Sequence, residues 1–279
     1  MVAVALGLAA SASWGLADFI GGIKSRKLDL LAVLGVSQFV ALVLLGVVIV
    51  ASGEPAPDLS TLAIAGGAGA VGVAGLGALY RGLAIGAMAV VAPIAALGAA
   101  IPVAAGVATG DSLGTLQGVG IALALGGVAL VAREEAPEGG GAKMAVGAGL
   151  ALAAAAGLGL FLLGMDSASD DGILWALFAA RLVSVSLLAG AVLLTRPDLG
   201  AAKPHFGAVA AIGVLDLGAN GLFALAATEG LLSVASVCSS LYPVVTIFLA
   251  RAILSERVRP SQQVGVALVM AGVVGIAAG

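Results

Sequence analysis

Two stretches of the sequence decide the fold: QGVGIALALGGV at residues 117–128 and QQVGVALVMAGV at residues 262–273. The second stretch begins 145 residues after the first (262 against 117), and at the same offset Asp111 falls on Glu256. Because the residues match in order over a long apolar segment, the sequence predicts two copies of one structural unit.

The composition indicates that lipid is the main solvent of this chain. Hydrophobic residues make up 61% of its 279 residues and charged residues 10%, and the mean hydropathy is +1.21. Soluble domains contain about 25% charged residues. The 43 glycines suit helices that approach one another closely in lipid. We therefore predict an all-α integral membrane protein that crosses the cell (inner) membrane several times.

The same composition argues against several function classes. The net charge is −3 and no basic cluster exceeds Lys24, Arg26 and Lys27, so we expect no nucleic-acid partner. The single Cys238 and the single His205 offer little for a metal site or for catalysis. The sequence GAGAVG at residues 67–72 lies inside an apolar run without a preceding strand, which disfavours a dinucleotide site. We expect no cofactor and no enzymatic activity.

Hydropathy divides the chain into ten predicted membrane spans, because a helix needs about 20 mostly apolar residues to cross the hydrocarbon core. The first five spans are predicted at residues 2–22, 30–51, 61–82, 86–108 and 113–132. The second five are predicted at residues 144–165, 172–194, 205–228, 231–253 and 261–278.

A polar linker at residues 133–143 separates two predicted repeats, at residues 1–132 and 144–279. Since each repeat has an odd number of spans, the two halves enter the membrane from opposite sides. This is the inverted-repeat plan of many secondary transporters. The fold prediction is therefore ten transmembrane helices arranged as two inverted five-helix repeats.

The second repeat carries a recognisable pattern. The run GLLSVASVCSSLYPVVT at residues 230–246, followed by LSER at 254–257 and QVGVAL at 263–268, resembles the closing signature of EamA-type carriers of the drug/metabolite transporter superfamily. The first repeat has looser counterparts, and Trp14 with Gly15 resembles the first-helix Trp-Gly of that family. The resemblance implies a two-repeat, ten-helix carrier that moves metabolites, amino acids or drugs, often outward.

Basic residues predict the orientation in the membrane. When alternate loops are assigned to alternate sides, 11 of the 12 basic residues fall on one side, and the twelfth, Arg181, lies inside a span. The positive-inside rule makes that side cytoplasmic and places both termini outside. The family resemblance implies the opposite, with both termini inside, and both orientations stay open at this point.

Charged residues inside the spans are the first candidate site residues, because each costs at least about 2.5–3.5 kcal/mol to insert at the bilayer centre. Arg181 and Asp216 lie at similar depths in neighbouring spans, and Asn220 is at i+4 from Asp216, on the same helix face. We predict that the three line a substrate cavity, and the alternative is a static salt bridge between two helices. Asp18 belongs either to the cavity or to the membrane interface.

Five further residues complete the predicted substrate site. Gln38 lies near the middle of the second span and needs a hydrogen-bond partner, as a ligand contact or as a tie between helices. Trp14 is deep enough to form a cavity wall. In the ninth span Ser239 and Tyr242 flank Pro243, which lacks a backbone donor and predicts a bend. Hydroxyls that bond only to their own helix are the alternative.

These features favour a secondary transporter of a small molecule that works by alternating access around a midplane site. The coupling is open among a proton, another ion gradient and simple facilitated transport. The partners that we expect are the lipid bilayer, the transported substrate and any coupling ion. A channel-like or non-transporting subunit is the main alternative, and a membrane-embedded enzyme is a more distant one.

Overall fold

The computed structural model describes residues 2–108, 114–132, 141–169, 172–228, 238–239, 241–256 and 260–278, and these residues form helices without any strand. The helices are α1 (Val2–Ser25), α2 (Leu30–Ser52), α3 (Leu59–Ile85), α4 (Met88–Ala95), α5 (Ala100–Ala108), α6 (Thr115–Ala132), α7 (Gly141–Ser169), α8 (Ile173–Thr195), α9 (Phe206–Thr228), α10 (Tyr242–Leu254) and α11 (Pro260–Ala278). The predicted linker lies at residues 133–143, of which 133–140 are outside the described residues and 141–143 belong to α7.

Six apolar helices in the described part of the chain are long enough to cross a membrane. Their spans are Val2–Ser25, Leu30–Ser52, Leu59–Ile85, Val146–Ala168, Ile173–Thr195 and Leu199–Phe223. Shorter apolar helices, at Met88–Gly98, Thr115–Gly127, Tyr242–Leu254 and Gln263–Ile276, occupy the places of the fourth, fifth, ninth and tenth predicted spans. The all-helical membrane fold with six spans is therefore confirmed, and crossing by the remaining four stays a prediction.

The fourth predicted span, at residues 86–108, is not one continuous helix. Helix α4 ends at Ala95, a 3-10 segment follows at Ala96–Ala99, and α5 begins at Ala100. Pro102 cannot donate a backbone hydrogen bond to the carbonyl of Gly98, so the helical ladder is interrupted there. A Cβ on Gly98 would lie 2.7 Å from the Ala155 carbonyl oxygen of α7, which shows how closely the interrupted segment packs against its neighbour.

Within the ninth predicted span, at residues 231–253, a new helix begins at Tyr242, next to the proline where a bend was expected. Helix α10 begins at Tyr242, and Pro243 lies in its first turn, where no intrahelical donor is needed. Residues 229–237 and Ser240 lie outside the described residues. At the 145-residue offset, Leu241 just before α10 corresponds to Ala96, the first residue of the 3-10 segment. The two repeats are therefore interrupted at equivalent positions.

The two stretches that match in sequence also pack against each other, through α6 and α11. A Cβ on Gly127 would lie 2.5 Å from the Gly265 carbonyl oxygen, and a Cβ on Gly272 would lie 2.5 Å from the Gly120 carbonyl oxygen. At the 145-residue offset Gly127 corresponds to Gly272 and Gly120 corresponds to Gly265. Exchanging the two repeats therefore converts one contact into the other, and the two helices run antiparallel.

Side-chain contacts show which loops lie at the same end of the helix bundle. Three contacts join loops that carry basic residues: Lys24 Nζ to His205 Nδ1 at 3.4 Å, Arg26 Nη2 to the Leu83 carbonyl at 3.3 Å, and Ala89 N–H to Glu256 Oε1 at 3.2 Å. Toward the other end, the indole N–H of Trp175 donates to the Glu54 carbonyl at 3.0 Å. The described basic loops therefore share one end of the bundle.

Candidate functional site

A partly buried ion pair lies inside the bundle. Arg181 Nη2 on α8 is 2.7 Å from Asp216 Oδ2 on α9, and their side chains are 12% and 19% exposed. Nη1 of the same guanidinium donates to the side-chain oxygen of Gln38 on α2, which is 2% exposed. The planar guanidinium presents several N–H groups in a fixed fork, which suits it to this double role. Arg181 therefore joins three helices: it pairs with Asp216, its predicted neighbour in depth, and it also binds Gln38, whose partner the sequence did not identify.

Small residues set the distances between these helices. A Cβ on Gly213 would clash with the Ser37 carbonyl, so α9 approaches α2 one turn before Asp216. On α8, Ser184 Oγ donates to the Gly69 carbonyl of α3 at 2.8 Å, three residues after Arg181. The first contact brings together α9 and α2, which carry the two partners of the guanidinium, and the second fixes α8 against α3.

The side-chain hydrogen bond of Asn220 does not involve either side chain of the ion pair. Its amide Nδ2 donates to the backbone carbonyl of Asp216 at 2.7 Å, within the same helix. The predicted common face is correct, since the two residues are one turn apart. Asn220 therefore uses one of its two amide hydrogens within α9.

Asp18 on α1 belongs to the interior of the bundle. The residue is 7% exposed, so neighbouring helices cover its side chain, and its position relative to the membrane interface stays a prediction. Its carboxylate lies within electrostatic range of Asp216, Tyr80 and Tyr242. In the sequence, Asp18 stands out as an acidic residue within an apolar run. The position of Asp18 along the helix did not show which neighbouring helices its side chain faces.

Tyr80 on α3 was not among the predicted site residues. It is 1% exposed, and its ring lies against α1, because a Cβ on Gly21 would be 2.6 Å from Cε2 of Tyr80. Tyr80 lies within electrostatic range of Asp18, Asp216 and Arg181. The available signal was that both tyrosines of the chain, Tyr80 and Tyr242, fall inside predicted spans.

Trp14 forms an aromatic contact beside the charged residues. Its ring centroid is 6.1 Å from that of Phe223 on α9, at an interplanar angle of 43°. Trp14 lies one helical turn before Asp18, and Phe223 lies about two turns after Asp216, so this contact lies on the same helix faces as the two carboxylates. Ser13 Oγ donates to the Leu215 carbonyl at 2.8 Å and further ties α1 to α9.

The ninth-span residues pack against α1. Thr246 Oγ1 donates to the Gly15 carbonyl at 3.1 Å, and a Cβ on Gly15 would lie 2.6 Å from the Tyr242 carbonyl oxygen. Pro243 is buried in the first turn of α10, and Ser239 is 6% exposed. Of the predicted residues in this span, Tyr242 is therefore the one that lies within electrostatic range of the charged cluster, through Asp18.

The arrangement combines two carboxylates, one guanidinium and two amides, with the hydroxyls of Tyr80 and Tyr242 nearby, in a largely apolar interior. If Asp18, Asp216 and Arg181 are all ionised, their formal charges leave one net negative charge. Among the described residues no group of three His, Cys, Asp or Glu side chains is placed to hold a metal ion. The chemistry available here is therefore hydrogen bonding, charge pairing and reversible proton binding.

Comparison with known proteins identifies the family. The family model described as the EamA-like transporter family matches residues 1–133 and 145–278. A solved chain described only as the crystal structure of a protein is 17% identical, with a TM-score of 0.64 over 98% of this chain and 96% of its own, and this shows a shared fold. No curated protein sequence matches the chain. Because the family model covers both halves, the protein belongs to the EamA-like transporter family, whose members are membrane transporters and not enzymes.

Proposed function

We propose that the protein is a secondary transporter that moves a small metabolite, amino acid or drug through the cell (inner) membrane. In this proposal ten helices form two inverted repeats, which alternate access to a midplane cavity around Arg181, Asp216 and Gln38. Export is the proposed direction, because the family resemblance favours it. The observation that carries the proposal is the partly buried ion pair with its hydrogen bond to Gln38.

The energetics of the pair argue for a role beyond stability. A charged side chain at the bilayer centre costs at least about 2.5–3.5 kcal/mol on insertion scales. Replacing a buried ion pair by apolar residues is often neutral or stabilising. A protein that only needed to hold α8 and α9 together could therefore use apolar side chains, whereas a protein that handles a polar solute needs charged and polar groups inside the membrane.

The position of the pair relative to the repeats fits alternating access. Gln38 belongs to the first predicted repeat, and Arg181 and Asp216 belong to the second. A rocking motion of one repeat against the other would have to break or remake the bond between Arg181 and Gln38. The equivalent glycine contacts between α6 and α11, and the interruptions at equivalent positions near Ala96 and Leu241, support an inverted repeat with broken helices.

The experiment starts from a substrate screen. Purified protein is melted in the presence of amino acids, nucleosides, organic cations and sugars, and compounds that raise the melting temperature are tested for counterflow in proteoliposomes. A carrier exchanges labelled substrate against trapped unlabelled substrate and saturates. A channel-like subunit would show flux without counterflow, and a non-transporting subunit would show neither. If no compound class raises the melting temperature and no counterflow is detected, the result contradicts the proposal.

A further inference from the structure

Two basic side chains from different repeats meet at one end of the bundle. Lys24 Nζ, in the last turn of α1, lies 3.4 Å from Nδ1 of His205, which ends the 3-10 segment Leu199–His205 before α9. The ammonium donates to Nδ1, which assigns the proton of the neutral ring to Nε2. In the described part of the chain the structure gives that Nε2–H no acceptor. The ammonium also has two further N–H groups, so the pair offers donors from two helices.

The pair lies at the depth of the lipid headgroups. Ser13 bonds to the Leu215 carbonyl and Lys24 contacts His205, so α1 and α9 run antiparallel and the end of one meets the start of the other. From its first residue to Lys24, α1 rises about 33 Å, slightly more than the hydrocarbon core of about 30 Å. Phe206, next to His205, is 56% exposed and offers apolar surface to the adjoining acyl chains. The two basic groups therefore lie at the boundary between hydrocarbon and headgroups.

The described acidic side chains at this end of the bundle are used by backbone N–H groups. Asp29 caps α2, Asp198 caps the 3-10 segment, and Glu256 accepts from the Ala89 N–H. The one salt bridge between described residues lies inside the bundle, so Lys24 has no carboxylate partner among them. A carboxylate that would neutralise the pair is therefore missing from the described part of the chain.

Positive charge is in excess at the same end. Seven described basic side chains and three acidic ones lie there, and the basic ones are Lys24, Arg26, Lys27, Arg81, Arg196, Lys203 and Arg251. Arg26 is within electrostatic range of Glu256, which offsets part of its charge. Anionic lipids of the cytoplasmic leaflet attract basic residues at a membrane surface, and the positive-inside rule predicts that this end is cytoplasmic. The ligand that suits the pair carries a negative charge, several acceptor oxygens and an apolar tail.

We propose that Lys24 and His205 form a binding site for the phosphodiester of an anionic phospholipid. One phosphate oxygen accepts from the Lys24 ammonium and a second accepts from the His205 Nε2–H, and hydrogen bonds of this kind, with ionised partners, are the strong ones. The acyl chains lie along the exposed apolar side chains that begin with Phe206. Because α1 belongs to the first predicted repeat and α9 to the second, the bound lipid stabilises the junction between the repeats.

A binding test compares three additives on the protein purified in detergent: phosphatidylglycerol, phosphatidylcholine and inorganic phosphate. We expect phosphatidylglycerol to raise the melting temperature in a saturable manner and the other two to have little effect. Equal shifts with phosphatidylcholine would show that the headgroup charge plays no part. Equal shifts with inorganic phosphate would show a site for a free anion. Either result, or no shift with phosphatidylglycerol, would overturn the inference.

A residue test measures the phosphatidylglycerol concentration that gives half of the melting shift, with each variant compared with its own lipid-free protein. Lys24→Gln should raise that concentration about tenfold or more, because a charged hydrogen bond is lost, and Lys24→Arg should retain binding. His205→Leu should also weaken binding, because it removes the ring N–H. The matched control is Arg81→Gln, which removes one positive charge from an exposed position at the same end.

Equal weakening in Lys24→Gln and Arg81→Gln would show general attraction to a basic surface and would overturn the site. If Lys24→Gln does not fold, the comparison of His205→Leu with Arg81→Gln decides the question in the same way. A phosphatidylglycerol shift that is unchanged in both Lys24→Gln and His205→Leu would place the lipid elsewhere on the protein and refute the assignment.

Discussion

The first prediction concerns the removal of one partner from the partly buried ion pair. Asp216→Leu leaves the Arg181 guanidinium with only the Gln38 oxygen, among side chains that are 12% and 2% exposed. Breaking a buried pair by removing one partner typically costs about 3–5 kcal/mol. We therefore expect Asp216→Leu and Arg181→Leu each to lower the free energy of unfolding by about this amount.

The structure also predicts how far a double substitution restores stability. Arg181→Leu with Asp216→Leu removes both charges, but the Gln38 oxygen then loses the donor that the structure assigns to it. A buried acceptor without a partner costs about 1–3 kcal/mol. The double variant should stay below the wild type by about that amount, and a triple variant with Gln38→Met should recover most of the remainder.

Melting in detergent and counterflow in proteoliposomes separate structure from function. A working site predicts that the triple variant melts near the wild-type temperature and does not transport. Asp216→Asn keeps hydrogen bonding without the charge, and we expect it to slow transport more than it lowers stability. Glu54→Gln, at an exposed side chain, serves as the control. If the triple variant and Asp216→Asn both transport at the wild-type rate, the cluster is only scaffolding and the proposed site is wrong.

Three further predictions concern orientation, packing and pH. In a cysteine-free background, Ala201→Cys should be protected from a membrane-impermeant thiol reagent in intact cells, and Ser167→Cys should react. Both residues are exposed, and they lie toward opposite ends of the helix bundle. The reverse labelling pattern would show that both termini are cytoplasmic. Gly213→Ala should cost about 1–3 kcal/mol because its Cβ meets the Ser37 carbonyl, whereas Gly218→Ala, with open space around it, should be neutral or stabilising; equal melting temperatures for the two variants would contradict the close approach of α9 to α2. Burial raises the pKa of Glu256, so its contribution to stability is full below its ordinary pKa and is lost as the pH rises through the raised pKa. The melting temperature of the wild type should therefore fall between these two pKa values, and Glu256→Gln should make it less dependent on pH. An unchanged slope of melting temperature against pH in the variant would exclude Glu256 as the source.

The sequence predicted the features that depend on local composition and on distance along a helix. Mean hydropathy identified a membrane protein, and the order of matches between residues 117–128 and 262–273 identified two copies of a unit. The depths of Arg181 and Asp216 could be compared from the rise of about 1.5 Å per residue alone. This was enough to predict a pair that the structure places 2.7 Å apart.

The tertiary structure decided which faces of the helices meet. Depth along a helix follows from residue number, but the rotation of a helix about its axis follows from packing against its neighbours. In this chain that packing depends on small residues, and with 43 glycines no local pattern separates those that lie against a neighbouring helix from those that face open space. Only the assembled bundle could therefore show that Gln38 shares the guanidinium, that Asn220 bonds within its own helix, and that neighbouring helices cover Asp18.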